Sequence, residues 1–263
     1  MTRRIHRANG FQTTLQITDS GFLKTPRPSQ RNWLLNRCLR EFADELVHLD
    51  ALAESFVSGR DGLSIADRAT VPLSDAEIME DWQIPVMQAM VDAVCGDRGD
   101  ILEIGFGRGV ASEMIQKQHV NSHTIVECNP SVIERFHSWR GQRLDADIQL
   151  LEGRWQDRTD ELSEYDGIFF HTYPLNEEEF VDHVVQSVTF AAHFFPTAAA
   201  HLRGGGVFTY LTNESDSLSR AHQRLLFRYF DSVTLSKVNE LEIPDDTQDA
   251  MWTDSMVVVR AVR

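Results

Sequence analysis

Seven short apolar runs alternate with helical patterns from about residue 100 to the end of the chain. This alternation predicts a doubly wound, mostly parallel β-sheet with helices on both faces. Ligands of such sheets bind beyond the carboxyl ends of the strands. The predicted strands are residues 100–105, 123–128, 147–151, 165–171, 205–211, 232–238 and 254–262, and the predicted helices are residues 109–117, 130–139, 177–195 and 216–229.

The first predicted strand ends in a glycine-rich turn, within the run I-L-E-I-G-F-G-R-G at residues 101–109. At Gly105 and Gly107 a side chain would collide with a ligand that approaches the backbone closely. Glu127 stands at the end of the second predicted strand, where its carboxylate can accept hydrogen bonds from both hydroxyls of a ribose. The turn and Glu127 together predict a nucleoside-binding pocket.

Two kinds of cofactor suit such a pocket, and the spacing of the glycines separates them. A nicotinamide dinucleotide fingerprint reads G-x-G-x-x-G, whereas this turn reads G-x-G-x-G and has Glu103 two residues before its first glycine. That carboxylate would repel a pyrophosphate but suits the ammonium group of S-adenosylmethionine. We therefore expect S-adenosylmethionine rather than NAD; the structural alternative, a plain tight turn, does not require Glu103.

The hydrophobic content and the net charge of the chain limit the kinds of partner that it can bind. The chain of 263 residues is 42% hydrophobic without an apolar run of membrane-spanning length, and its formal net charge is −15. We expect no nucleic acid and no membrane as partner, because phosphate binding needs a basic surface. The amino terminus lacks the apolar stretch of a signal peptide, which predicts a cytoplasmic protein. The three cysteines, which lie far apart, predict neither disulfides nor a metal site.

Residues 1–98 follow a different pattern, and we predict that they form a helical extension or lid, followed by a cofactor-binding domain at 99–263. Residues 1–28 are polar and predicted to be irregular. Apolar residues from Trp33 to Phe56 recur at helical spacing and predict a long amphipathic helix, which either covers the site or forms a homodimer face. A second helical pattern runs from Asp75 to Val94, with Pro85 as a kink or break.

Five blocks in the same order resemble the guanidinoacetate N-methyltransferases and the related fungal arginine δ-N-methyltransferases, over roughly residues 75–260. This resemblance implies the class I methyltransferase fold, a Rossmann-like three-layer α/β sandwich with seven strands, in which a reversed final strand lies beside its neighbour. The blocks are IMEDWQIPVM at residues 78–87, LEIGFG at 102–107, VECN at 126–129, EGRWQD at 152–157 and HTYPL at 171–175.

The resemblance also assigns site residues. It implies that Glu127 holds the ribose, that Trp155 and Gln156 flank the adenine, and that Met87 lines the pocket. For Trp155, ordinary core packing is the alternative interpretation. The cofactor-binding residues expected from the turn and the resemblance together are Met87, Glu103, Gly105, Gly107, Glu127, Cys128, Trp155 and Gln156.

Two positions depart from the family. Guanidinoacetate methyltransferases carry a Glu where this chain has Gln83 and an Asp where it has His171, and these acids grip the guanidinium of the acceptor. We predict that His171 accepts a proton or orients the acceptor, with Tyr173 as the second catalytic group. The predicted substrate-binding residues are Gln83, His171, Thr172 and Thr212.

The main hypothesis is an S-adenosylmethionine-dependent methyltransferase acting on a small molecule, a neutral nitrogen compound or an indole-type ring of secondary metabolism. One alternative keeps the chemistry but takes a guanidino substrate, such as arginine or a guanidinoacetate-like compound. Another alternative is a protein that binds S-adenosylmethionine without turnover.

Overall fold

A computed structural model describes residues 2–6, 12–16, 67–96, 99–215, 217–244 and 252–263. The chain divides into two compact units, Met1–Leu63 and Ser64–Arg263. In the first unit, the described residues form a two-stranded antiparallel sheet of β1 (Thr2–His6) and β2 (Gln12–Gln16), in which Thr2 pairs with Gln16. The prediction of an irregular segment over residues 1–28 is therefore wrong at these ten positions, where Ile5, Thr13 and Thr14 are β-branched residues that favour strand.

The division between the units falls after residue 63, whereas the sequence pattern changes near residue 98. The helix that ends at Val94 belongs to the second unit. That residues 1–98 act as an extension or lid stays a prediction. The long amphipathic helix predicted from Trp33 to Phe56, with its proposed homodimer face, lies outside the described residues.

The second unit is built on a seven-stranded sheet in the order β5-β4-β3-β6-β7-β9-β8. The first five strands in this order run parallel, and β9 lies antiparallel between β7 and β8. The predicted reversed final strand beside its neighbour is thus confirmed. The strands are β3 (Asp100–Ile104), β4 (Ser122–Glu127), β5 (Ile148–Glu152), β6 (Tyr165–Phe170), β7 (Leu202–Thr212), β8 (Ser232–Val238) and β9 (Met256–Val262).

Alternate residues of the central strands enter two separate hydrophobic cores, one on each face of the sheet. On β6, Ile168 and Phe170 join one core while Phe169 joins the other. On β9, Val257 and Val259 likewise point away from Val258. Since both faces of these strands are buried, their sequences are continuously apolar, as expected for the middle layer of a three-layer sandwich. The predicted fold class is confirmed.

In the second unit, the predicted helices at 109–117, 130–139 and 216–229 are present with shifted bounds, whereas the helices Trp155–Arg158 and Phe195–His201 were not predicted. The helices are α1 (Asp75–Ile78), α2 (Ile84–Val94), α3 (Val110–Lys117), α4 (Pro130–Arg140), α5 (Trp155–Arg158), α6 (Glu177–Phe180), α7 (Phe195–His201) and α8 (Arg220–Tyr229). Short 3₁₀ segments cover Asp81–Gln83, Thr159–Glu161 and Phe190–Phe194. In the described part of the chain, no helix is long and apolar enough to span a membrane.

The single helix predicted over residues 177–195 is wrong. The chain instead forms α6, a π-helical turn at Val181–Val185 and the 3₁₀ segment Phe190–Phe194. Residues 187–189 are Ser, Val and Thr, and the Ser187 hydroxyl donates to the Thr189 carbonyl at 3.1 Å. Hydroxyl and β-branched side chains of this kind compete with helical hydrogen bonding, and apolar spacing does not reveal that competition.

The helical pattern predicted from Asp75 to Val94 is broken before Pro85. Helix α1 ends at Ile78, and α2 begins at Ile84 with Pro85 in its first turn. A proline is well tolerated there because the first N–H groups of a helix have no partner within the helix. Helix α2 buries Val86, Met87 and Met90 against the sheet. It thereby brings Met87 toward the carboxyl edge of β3.

Candidate active site

The glycine-rich turn after β3 is fastened to the end of β4 by Glu127. One carboxylate oxygen accepts the N–H groups of Phe106 and Gly107 at 3.0 and 3.5 Å. The other accepts those of Cys128 and Asn129 at 2.7 and 2.9 Å. Parallel pairing of β3 and β4 makes this possible, because it places both strand ends at the same edge. Glu127 therefore shapes the turn from which a nucleoside would be held.

Two glycines of this turn have backbones that exclude a side chain. Gly105 has φ +92°, and a Cβ on it would lie 2.5 Å from the carbonyl oxygen of His171. Gly107 has φ +57°, and its Cβ would lie 3.1 Å from a methyl carbon of Ile78. These positive φ values favour glycine. The space that a side chain would need is thus taken by the protein itself, and the close approach of a ligand to these two glycines stays a prediction.

Glu103 is completely buried beneath the turn. One of its carboxylate oxygens accepts a hydrogen bond from the Ser112 hydroxyl and lies 2.9 Å from Nε2 of His123, which is also completely buried. Nδ1 of His123 lies 3.1 Å from the side-chain amide nitrogen of Gln116, which donates to it and leaves the ring proton on Nε2, a buried atom that makes no hydrogen bond. The other oxygen of Glu103, Oε1, is buried without a hydrogen-bond partner. A buried carboxylate oxygen of this kind is suited to a cationic ligand group.

A pocket of about 670 Å³, measured with its open mouth, lies over this turn. It brings together Met87, Glu103, Gly105, Gly107, Glu127 and Cys128 of the predicted cofactor site with His171, Thr172 and Tyr173 of the predicted acceptor site. Phe106 and Phe169 add apolar lining. The arrangement can therefore hold a cofactor and an acceptor side by side at the carboxyl edge of the sheet.

A second pocket of about 380 Å³ continues from the first and shares Gly105, Glu127 and Cys128 with it. It contains Trp155 and Gln156, the residues predicted to flank the adenine. Trp155 also packs edge to face on Phe194, with ring centres 4.9 Å apart. The tryptophan thus packs in the core and lines the pocket at once, and its contact with the adenine stays a prediction.

His171 follows β6, and its backbone N–H donates to the carbonyl of Ile104 at 3.2 Å. Its side chain lines the first pocket and is partly exposed to it. Burial lowers the pKa of the imidazole to about 4. The ring is therefore neutral near pH 7 and can accept a hydrogen bond, but it is a weaker base than an ordinary histidine.

Aromatic rings surround His171. Tyr173 and Trp252 have ring centres 5.7 and 6.4 Å from the imidazole. The indole N–H of Trp252 donates to the Tyr173 hydroxyl at 2.9 Å, which fixes the tyrosine in place. The guanidinium carbon of Arg68 lies 5.6 Å from the centre of the Tyr173 ring. This wall of the pocket therefore combines flat aromatic faces with hydrogen-bonding groups.

Two predicted substrate residues do not line either described pocket. Gln83 is 4% exposed, and its side-chain oxygen accepts the N–H of Glu80 at 3.2 Å, which caps the 3₁₀ segment Asp81–Gln83. Thr212, at the end of β7, is buried, and its hydroxyl accepts the N–H of Glu214 at 3.3 Å. Both side chains already accept hydrogen bonds from backbone N–H groups, and their contact with substrate stays a prediction.

Several pocket residues were missed by reasoning from the sequence. Arg68 lies far from the motifs, and its backbone N–H donates to the carbonyl of Leu175 at 2.8 Å. The buried Asn129 caps α4 and donates to the carbonyls of Arg68 and Val71 at 2.5 and 2.8 Å. The Asn-Pro pair at residues 129–130, typical of a helix start, could have identified Asn129. Nothing local identifies Arg68.

Burial raises the pKa of the Cys128 thiol to about 12, and the neighbouring Glu127 adds to this effect. The thiol is therefore neutral and acts as a small apolar contact. In the stretches of chain that the structure describes, no group of three or more His, Cys, Asp or Glu side chains is placed to hold a metal ion.

Comparison with known proteins shows which family this chain belongs to. The family model for guanidinoacetate N-methyltransferase matches residues 64–252, well over half of the chain. Protein arginine N-methyltransferase 2 from Kluyveromyces lactis is 30% identical over 130 residues, which cover 46% of this chain and 32% of the relative. Its counterpart from Saccharomyces cerevisiae is 29% identical over 115 residues, which cover 40% of this chain and 28% of the relative. The chain thus spans about a third or less of the length of these relatives.

Solved structures agree on the fold. The precorrin-6y C5,15-methyltransferase of Geobacter metallireducens superposes with a TM-score of 0.50 at 14% sequence identity, over 73% of this chain and 98% of the other. At such low identity the likeness concerns the fold alone, which is that of the class I methyltransferases. With the match over residues 64–252, the fold and the glycine turn between Glu103 and Glu127 establish that this chain belongs to the guanidinoacetate N-methyltransferase family of S-adenosylmethionine-dependent enzymes.

Proposed function

We propose that this protein is an S-adenosylmethionine-dependent N-methyltransferase whose acceptor is a guanidino group, as in arginine or a guanidinoacetate-like small molecule. The observation that carries the acceptor class is the match of residues 64–252 to the family model for guanidinoacetate N-methyltransferase. The lining of the larger pocket is compatible with this class, because His171, Thr172 and Tyr173 offer hydrogen-bonding groups to a guanidino N–H. The guanidinium of Arg68 lies over the Tyr173 ring, donates to the carbonyl of Glu77 at 2.6 Å and so already occupies that ring face.

The described residues fit the cofactor. Gly105 and Gly107 line the larger pocket, where the methionine portion would lie, and Glu103 Oε1 has no hydrogen-bond partner within the protein and could accept from the ammonium group. Glu127 stands next to the second pocket, into which the adenine would extend toward Trp155 and Gln156. The buried, unpartnered carboxylate oxygen is the strongest support, because a buried charge of this kind needs a positive partner.

When bound, S-adenosylmethionine supplies a sulfonium methyl group: the acceptor nitrogen forms the new C–N bond as the C–S bond breaks toward sulfur, and one N–H proton is released. His171 orients the acceptor by accepting a hydrogen bond from it. Because the pKa of His171 is lowered to about 4, the released proton passes on to water and does not stay on the imidazole. Tyr173, whose hydroxyl accepts the N–H of Trp252, lies in the pocket wall near His171 and offers its hydroxyl to the acceptor. The positioning of the acceptor nitrogen against the methyl group then provides most of the rate acceleration.

This chain lacks the two family acids at the positions of Gln83 and His171, and their absence affects how tightly a guanidino acceptor binds. Each charge-assisted contact contributes roughly 1.5–3 kcal/mol, whereas a cation over an aromatic ring contributes roughly 0.5–2 kcal/mol. A guanidino acceptor should therefore bind more weakly here than between two carboxylates. The family match and the arginine methyltransferase relatives support the guanidino acceptor better than the neutral one.

A second candidate is a neutral nitrogen compound or an indole-type ring of secondary metabolism. The observation in its favour is that the only carboxylates among the described lining residues of the larger pocket are Glu103 and Glu127, which both belong to the cofactor side. The cytoplasmic location and the homodimer predicted from the sequence also remain proposals.

The test uses methyl-labelled S-adenosylmethionine and two acceptor panels, one of guanidino compounds and one of indoles and neutral amines. Label in the guanidino panel, lost in His171→Ala, supports the proposal. The double substitution Q83E with H171D restores both family acids and should lower the KM for guanidinoacetate. Label in the neutral panel alone favours the second candidate. Tight binding of S-adenosylhomocysteine without product in either panel would mean that the protein binds its cofactor without turnover.

A further inference from the structure

Two histidines stack in parallel beside the smaller pocket. His183 lies in the π-helical turn Val181–Val185 and His193 in the 3₁₀ segment Phe190–Phe194. Their ring centres are 4.2 Å apart and their planes differ by 5°. His193 lines the pocket, and its ring centre is 5.5 Å from that of Trp155. Single π-helical turns inside helical segments occur frequently at functional sites.

The contacts of His193 determine which of its nitrogens carries the proton. Nδ1 contacts the carbonyl oxygen of Phe190, and a carbonyl can only accept, so Nδ1 is the N–H donor. Burial lowers the pKa of this imidazole to about 4, and the neighbouring His183 lowers it further. The ring is therefore neutral near pH 7, and its Nε2 is a hydrogen-bond acceptor.

The carboxylates along this pocket are already engaged. Glu179 pairs with the Arg154 guanidinium through one oxygen and accepts the N–H of Leu175 at 2.9 Å through the other. Glu127 accepts backbone N–H groups through both oxygens. Among the described lining residues, Gln156 is exposed, whereas His193 is only partly exposed. The imidazole of His193 is thus a side-chain acceptor of this pocket that is better shielded from water than the amide of Gln156.

Resting on the proposed function, we infer that His193 reads the adenine of the cofactor by accepting a hydrogen bond from its exocyclic amino group through Nε2. His193 is then a specificity-determining residue for the base. His183 is a positioning residue, because its stacked ring fixes the plane in which His193 lies. A base with a carbonyl at the same position would direct an oxygen at Nε2, and two acceptors repel each other.

The experiment compares binding of S-adenosylhomocysteine and S-inosylhomocysteine, in which hypoxanthine carries a carbonyl in place of the amino group. We measure both dissociation constants by titration calorimetry for the wild-type protein, H193F, H193Q and the control H201F. The His201 ring also contacts a carbonyl, that of Ser163 at 2.9 Å, but lies outside both described pockets. The ratio of the two dissociation constants decides the question, because general damage to the fold weakens the binding of both ligands alike.

The wild-type protein is expected to prefer the adenosyl ligand, and H193F should reduce this preference roughly tenfold. H193Q, which offers an amide oxygen as acceptor, should keep much of the preference, and H201F should keep all of it. An unchanged preference in H193F, with circular dichroism showing a folded protein, overturns the inference and leaves the proposed function standing. Failure of the wild-type protein to bind either ligand overturns both. If H193F does not fold, H193A is measured instead. Its loss of the preference for the adenosyl ligand then supports the inference, and an unchanged preference overturns it.

Discussion

Nε2 of His123 lies 2.9 Å from the carboxylate of Glu103, and both side chains are completely buried beneath the cofactor turn. This pair joins the start of β4 to the middle of β3. Oε1 of Glu103 is left without a hydrogen-bond partner within the protein.

His123→Ala should lower the free energy of unfolding by about 1–3 kcal/mol, because it removes a completely buried ring and leaves the side-chain amide of Gln116 without its acceptor. Urea denaturation followed by circular dichroism measures this change. The matched control is H137A, since His137 lies 3.5 Å from Glu152 in an exposed pair. Exposed pairs contribute less than about 1 kcal/mol. Equal losses in the two variants would contradict a special role of the buried pair.

Glu127→Gln should weaken binding of S-adenosylhomocysteine by roughly ten- to a hundredfold, because charge-assisted hydrogen bonds to the turn and to the ribose become neutral ones. Titration calorimetry measures the dissociation constant. E134Q, on the exposed side of α4, carries the same substitution away from the pocket and should bind normally. If E127Q binds as tightly as the wild-type protein, Glu127 does not hold the cofactor.

Gly105→Ala should abolish cofactor binding, because its Cβ would meet the His171 carbonyl at 2.5 Å and its φ of +92° disfavours alanine. G204A is the matched control, since a Cβ at Gly204 meets no atom within 4 Å. Binding and thermal unfolding of both variants are compared with those of the wild-type protein. Retained binding in G105A would show that the turn can shift, and the close approach of the cofactor would have to be rejected.

The protein should lose stability as the pH falls from about 6.5 toward about 4. Burial lowers the pKa of His171 and His193 to about 4 in the folded protein, so over this interval the unfolded chain binds protons that the folded chain does not. Stability therefore falls with decreasing pH. Urea unfolding at several pH values measures the slope, and H193F, which removes one of the two groups, should flatten it. An identical slope in H193F would contradict the lowered pKa.

Much of the fold follows from the sequence because its strands are buried on both faces and read as continuous apolar runs. The seven strands were predicted close to their observed bounds, and the antiparallel place of β9 came from the resemblance. The helical segments were less predictable. The break between Phe180 and Phe190 depends on hydroxyl contacts and on a π-helical turn that hydrophobic spacing does not reveal.

The candidate site was predictable where a motif fixes the backbone. The glycines, Glu103 and Glu127 act at the strand ends, and their position follows from the strand order. Gln83 and Thr212 were harder to place, because their side chains bond to backbone groups nearby. Arg68 and His193 reach the pockets only through tertiary contacts. The sequence next to these residues does not indicate such contacts.

Asn129 fastens the segment from Arg68 to Val71 to the helix that begins beside the cofactor turn. This has a practical consequence for anyone who wishes to express a minimal catalytic fragment. A fragment cut at residue 99, where the strand alternation begins, would keep all seven strands of the large sheet but lose Ile78, Met87 and Arg68 from the pocket wall. The shortest fragment that keeps all the pocket residues has to begin no later than Asp67.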